Sequence, residues 1–96
     1  MKIIDFESKS WFFLSNEKDY YIDVNCSYSF VGFNMLIQLN TSELTEYQNC
    51  GRDYLNSLVK NIQQYGLSNY NDRNIKGDVE RLANEAIIKF LEESYK

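Results

Sequence analysis

The chain has 96 residues, the size of one domain, so a single unit spanning residues 1–96 is expected. Hydrophobic residues make up 44% and charged residues 25%, globular proportions that exclude a disordered, collagenous or disulfide-scaffold chain. Fourteen acidic against ten basic side chains give a formal charge of -4, which argues against nucleic acid or an anionic membrane as partner.

The charge is uneven: residues 1–48 hold seven acidic and three basic groups, residues 49–96 seven of each. Cys26 and Cys50 are the only thiols, and without any histidine they cannot complete a four-ligand zinc shell within one chain, so no metal and no cofactor is expected. The opening Met-Lys-Ile-Ile-Asp-Phe-Glu lacks the apolar core of a signal peptide, and no stretch approaches the roughly 18 apolar residues of a membrane span. Two free thiols and a cytoplasmic location are therefore expected.

In chain order, Met1 to Phe6 offers a short edge strand through Ile3, Ile4 and Phe6. From Trp11 to Leu39 β-branched and aromatic residues alternate with turn signals, predicting strands over Trp11–Ser15, Tyr20–Asn25 and Phe30–Leu39 in an antiparallel meander, with Gly32 marking a bulge. Period two assigns Tyr20, Ile22, Val24, Cys26, Val31, Phe33, Met35, Ile37 and Leu39 to a core face. Tyr21, Asp23, Asn25, Asn34 and Gln38 fall on the opposite, outward face.

At Asn40-Thr41-Ser42-Glu43 a capping side chain precedes Glu by three residues and a helix begins. Leu44, Tyr47, Gly51, Tyr54, Leu55, Leu58, Val59 and Ile62 recur at helical steps up to Tyr65, with Gly66 as a left-handed terminator. One helix from Glu43 to Tyr65 is predicted, about 34 Å long at 1.5 Å per residue, with Gly51 there for close packing on the sheet. After the polar connection Leu67–Gly77, longer than neighbouring helices need, Asp78 caps a second helix. Its stripe is Val79, Leu82, Ala83, Ala86, Ile87, Phe90, Leu91 and Tyr95. The fold class predicted is α+β: a three- or four-stranded antiparallel meander with two C-terminal helices on one face.

The residues of common catalytic constellations are missing: there is no histidine, no Gly-x-Ser-x-Gly and no glycine-rich phosphate loop. Glu92 and Glu93 are helix neighbours pointing about 100° apart, and Asp19 with Asp23 is the only other carboxylate pair to weigh. A non-enzymatic role is expected. Taken singly, each aromatic ring is what a core or sheet edge also uses. In company with Glu17, Asp19 and Asp23, however, Tyr20 and Tyr21 make a surface fitted to a basic protein, rings giving contact area and carboxylates giving steering. The predicted contact residues are Glu17, Asp19, Tyr21 and Asp23 on the hairpin, with Tyr70 and Asp72 in the long connection. A homodimerising adaptor using Tyr21, Phe30 and Leu36 is the first rival reading, and an enzyme with a carboxylate site at Asp23 the second.

The stretch Leu36-Ile37-Gln38-Leu39-Asn40-Thr41-Ser42-Glu43-Leu44, then Tyr47, Gly51-Arg52-Asp53-Tyr54-Leu55 and Leu58, preceded by Trp11-Phe12-Phe13-Leu14, resembles small cytoplasmic immunity proteins of contact-dependent growth inhibition systems. The likeness covers about half the chain; the cap lacks the pattern's proline, and nothing after Gly66 takes part in it. The resemblance implies a non-catalytic protein, monomeric when free, that binds the toxic domain of a delivered effector in the cytosol and covers its active site. Many such toxins are nucleases, and a nuclease, here expected to be a ribonuclease, must present positive potential that an acidic inhibitor can match.

Overall fold

Four runs of β-branched and aromatic residues become four strands in the computed structural model, which describes residues 1–28 and 31–94. They are β1 (Lys2–Glu7), β2 (Trp11–Asn16), β3 (Asp19–Tyr28) and β4 (Val31–Gln38), antiparallel and in the order β1-β2-β3-β4. The N-terminal residues thus do form an edge strand. Register aligns Phe13 with Ile22 and Ile22 with Ile37, and one step along it aligns Phe12 with Asp23 and Asp23 with Leu36. The irregularity predicted at Gly32 lies instead in β1, between Ile3 and Asp5, while Gly32 pairs in register with Ser27. The β2–β3 hairpin closes through Glu17 and Lys18, and Glu17 takes a positive φ of 59° that non-glycine residues seldom adopt. Phe30 and Tyr95, assigned by the pattern to the last strand and the last helix, lie outside the described residues.

Helix α1 (Thr41–Cys50) opens with the reciprocal cap read from the sequence: Glu43 N donates to Asn40 Oδ1 at 2.8 Å and Asn40 N to Glu43 Oε1 at 2.9 Å. The single helix predicted to reach Tyr65 is broken at Gly51, where φ 65° and ψ -138° suit glycine alone, and α2 (Arg52–Tyr65) starts from there. No atom lies within 4 Å of a Cβ built on Gly51, so conformation rather than close packing accounts for this glycine. Gly66 does not terminate α2 in the left-handed region either; it is right-handed at φ -54° and the chain runs on through one turn of π-helix, Gly66–Tyr70, and a 3-10 turn, Asn71–Arg73. Gly77, with φ 96°, then precedes α3 (Asp78–Ser94) and its carbonyl accepts from Arg81 N at 3.0 Å, so Asp78 is the first helical residue rather than the cap.

The chain is α+β, with a four-stranded antiparallel sheet, but its helices do not share one face. Leu55, Leu58, Val59 and Ile62 of α2 pack with Trp11, Phe13, Ile22, Val24, Cys26, Met35, Ile37 and Leu39, the face assigned to the core by alternation. Helix α3 covers the other face, with Ala83 buried against Leu14, Tyr21 and Leu36, and Val79, Ala86 and Ile87 half-buried beside them. Phe90 adds its ring to Phe6 and Phe12, at centroid distances of 5.0 and 6.2 Å. The cause is legible in β2 and β4, where Trp-Phe-Phe-Leu and Met-Leu-Ile run without alternation; strands covered on both faces read that way.

Two further ties complete the frame. Arg52 on α2 binds Asp5 Oδ1 at 2.7 Å and also Glu7, and its guanidinium carbon sits 5.0 Å from the Trp11 ring centroid, fastening edge strand β1 to α2. The outer edge of β4 is covered by Asn74 and Ile75: Leu36 N donates to Asn74 Oδ1 at 3.0 Å and Ile75 N to Leu36 O at 2.8 Å. Cys26 is buried and Cys50 exposed, both free. No helix among the described residues is long and apolar enough to cross a membrane.

Candidate functional site

The β2–β3 hairpin and the Gly66–Arg73 turns lie toward the same end of the sheet, each tied to the end of β4. Leu39 N donates to Tyr20 O at 2.8 Å, and Arg73 Nη2 donates to Gln38 O at 2.9 Å. Arg73 also binds Glu43, through Nη1 to Oε2 at 3.0 Å and Nη2 to Oε1 at 2.5 Å, a two-point pairing that joins the 3-10 turn to the first turn of α1. The hydrogen bonds that Arg73 donates to Glu43, followed by the Glu43 charge, raise the Arg73 pKa further despite partial burial. The cation is thus paired within the molecule.

Around this lock lie aromatic rings. Tyr20, Tyr47, Tyr54 and Tyr70 are half-buried against the α2-side core, Phe13 stacking on Tyr20 at 5.7 Å and meeting Tyr47 at 4.6 Å. Arg73 approaches the Tyr70 ring, at 5.7 Å from its centroid. Burial first and the Glu43 charge second push the phenols of Tyr54 and Tyr70 above their usual range, so both remain neutral hydrogen-bonding groups at physiological pH. A shallow groove of about 340 Å³ lined by Gln38, Leu39, Asn40, Arg73 and Ile75 opens beside them.

Of the six predicted contact residues, Glu17, Asp19 and Asp72 are exposed, Tyr70 is half-buried, and Tyr21 and Asp23 are each only 4% exposed. The hairpin prediction is corrected for the last two: they lie on the face that α3 covers and are buried, so neither adds an exposed side chain to the hairpin surface. Leu36 and Tyr21, two of the three residues read as the apolar patch of a homodimer, are buried together with Ala83 of this helix, and the third, Phe30, lies outside the described residues. Glu17, Asp19 and Asp72 make no ion pair among the described residues, whereas Asp5, Glu7, Glu43, Asp78, Glu80 and Glu85 all do.

Among the described residues, Asp23 is the one charged residue of the buried set. Asn34 Nδ2 donates to its Oδ1 at 3.0 Å across the β3–β4 register. Burial raises its pKa from 3.8 to about 6, the Asn34 hydrogen bond opposing and the Glu80 charge adding to the rise. Burial likewise pushes the Tyr21 phenol up, with Asp19 adding to it, and the Cys26 thiol up, with Asp23 adding to it.

Sequence reasoning passed over Arg73 and Glu43, the pair that fixes this end; an acid three residues after a cap reads as a helix-start charge, and a lone Arg in an Asn-rich loop gives no periodic signal. Asn34 was placed on the same face as Asp23, and that shared parity was the available sign of their pairing. No group of three or more metal-ligating side chains occurs among the described residues. No protein-family model, no curated protein and no solved structure matches this chain.

Proposed function

We propose that this chain is a non-catalytic immunity protein, acting in the cytoplasm, that binds a basic toxin domain, in the first instance a nuclease of the ribonuclease type, through the hairpin end of its sheet. The observation that carries the reading is the set of exposed carboxylates at that end, Glu17, Asp19 and Asp72, free of ion pairs among the described residues and next to the half-buried rings of Tyr20 and Tyr70. Unpaired charges on the surface retain the long-range field that internal ion pairs cancel, and a phosphate-binding cleft supplies the matching sign. Tyrosine rings, with few rotatable bonds, add contact area at low ordering cost.

The backbone gives a second support. Glu17 holds a positive φ at an exposed tip, a position a glycine would fill at lower energy, so its carboxylate is kept there at some cost to stability. The test is association kinetics with purified candidate ribonuclease toxin domains, taken with one that the wild-type chain binds. The double variant Glu17→Arg, Asp19→Arg is expected to slow association by about tenfold or more at low salt and to flatten its salt dependence, with little change in melting temperature. Unchanged association rates in that variant would remove this end of the sheet as the binding surface.

A further inference from the structure

A cavity of about 110 Å³ opens on the α3 side of the sheet, lined by Lys9, Ser10, Phe12, Asp23, Asn25 and Asn34. It lies toward the β1–β2 turn, the end of the sheet away from Glu17 and Asp19, and so is separate from the surface proposed above. Its frame is built from backbone and amide contacts. Asn25 N donates to Ser10 O at 2.8 Å, Asn25 Nδ2 to Lys9 O at 3.2 Å, and Asn34 Nδ2 to Asp23 Oδ1. Asp23 is 4% exposed yet lines the cavity, and among the described residues Asn34 is the only hydrogen-bond donor to its carboxylate. No hydrogen bond to its second oxygen occurs among the described residues. Lys9 lines the rim but forms no ion pair with Asp23 within 4.0 Å among the described residues.

We propose that this cavity is a binding site for an organic cation head group, a primary ammonium or a guanidinium, seated on the Asp23 carboxylate against the Phe12 ring with the Asn25 and Asn34 amides and the Ser10 hydroxyl around it. The charge follows from Asp23, a buried anion with one neutral donor, for which an opposite charge is the favourable companion. The Phe12 ring lines the same cavity, and an aromatic ring attracts a cation set against its face. Size decides between head group and whole molecule: the space exceeds the share of several waters at about 30 Å³ each, but falls short of the roughly 300 Å³ or more of a pocket that encloses a complete ligand. With one carboxylate and no second acid lining the cavity, a divalent metal lacks its ligands.

Ethylammonium and ethylguanidinium, titrated separately into the intact protein at pH 7.5 and followed by amide NMR, test the site. Saturable shifts at Ser10, Phe12, Asp23, Asn25 and Asn34 are expected, with Kd of about 1–10 mM for ligands of so few atoms. Ethanol, ethylurea and acetate should leave those signals in place. At pH 5 the affinity should fall about tenfold, because the Asp23 carboxylate titrates near pH 6; the other groups around it are Lys9 on the β1–β2 turn, Tyr21 and Cys26 on β3 and Glu80 on α3. Asp23→Asn should abolish binding, and Lys9→Met should preserve or tighten it by removing a competing cation. Tighter binding of the amides of N-acetyl-lysine and N-acetyl-arginine than of the free amines would identify the occupant as a side chain of a polypeptide; the reverse would identify a small amine. No shifts with either cation on the wild-type protein, equal response to acetate, or loss of binding in Lys9→Met would each overturn the proposal, and none of these results depends on a toxin.

Discussion

Asp23 carries a cost that the rest of the molecule has to absorb. Its carboxyl titrates near pH 6 in the fold against 3.8 as a free group, so the folded state holds the proton more firmly than the unfolded state does. The stabilising contribution of the protonated form is complete below about pH 4 and is lost as pH rises through about 6, a difference of about 3 kcal/mol between the two limits. Asp23→Asn keeps an oxygen for Asn34 and carries no charge. Urea unfolding should therefore find the variant more stable than wild type by about 2–3 kcal/mol at pH 7.5 and no more stable at pH 4. Equal differences at both pH values would mean that the buried charge is not penalised. A residue retained at such a cost fits a role outside stability, and the cavity over its carboxylate supplies one.

At the level of elements, Gly51 decides how the first helical segment is laid out. With φ 65° and ψ -138° it sits where an L side chain is strained, and nothing within 4 Å would obstruct the added carbon. Gly51→Ala should cost about 1–3 kcal/mol from backbone strain alone, measured as a lower denaturation midpoint. An unchanged midpoint would mean that α1 and α2 can join into one straight helix. Both ends of this segment teach something about legibility. The cap at Asn40 and Glu43 was readable because it is a local contact between residues three apart. The break at Gly51 was not: helical spacing continues across it, although α1 has no buried residue while α2 buries four. Likewise Gly66 stays right-handed and is buried, which a terminator rule based on local sequence does not anticipate. The contact residues followed the same division. Glu17 and Asp19 were legible as exposed because one lies in the two-residue turn and the other in the strand position that flanks it, whereas the burial of Tyr21 and Asp23 depends on a helix nearly sixty residues further along the chain.

Across the whole molecule, the two helical layers are unequal. On one side α2 buries Leu55, Leu58, Val59 and Ile62; on the other, α3 buries Ala83 alone, with Leu82, Ile88 and Leu91 at 37%, 55% and 37% exposure. Less apolar burial means a smaller free energy for local opening, so amides of α3 should exchange with solvent through openings of lower free energy than those of α2 under native conditions. Equal protection of the two helices would contradict this ordering. The position of Cys26 turns the difference into something countable. It is fully buried on the α2 face, its thiol pushed up by burial, while Cys50 stands exposed at the end of α1. An alkylating reagent added to the native protein should label Cys50 alone within minutes, and Cys26 only when the chain is denatured. Because Cys26 is shielded by the better-packed layer, its labelling rate serves as a clock for the opening of the whole molecule, and detachment of α3 by itself leaves that clock stopped.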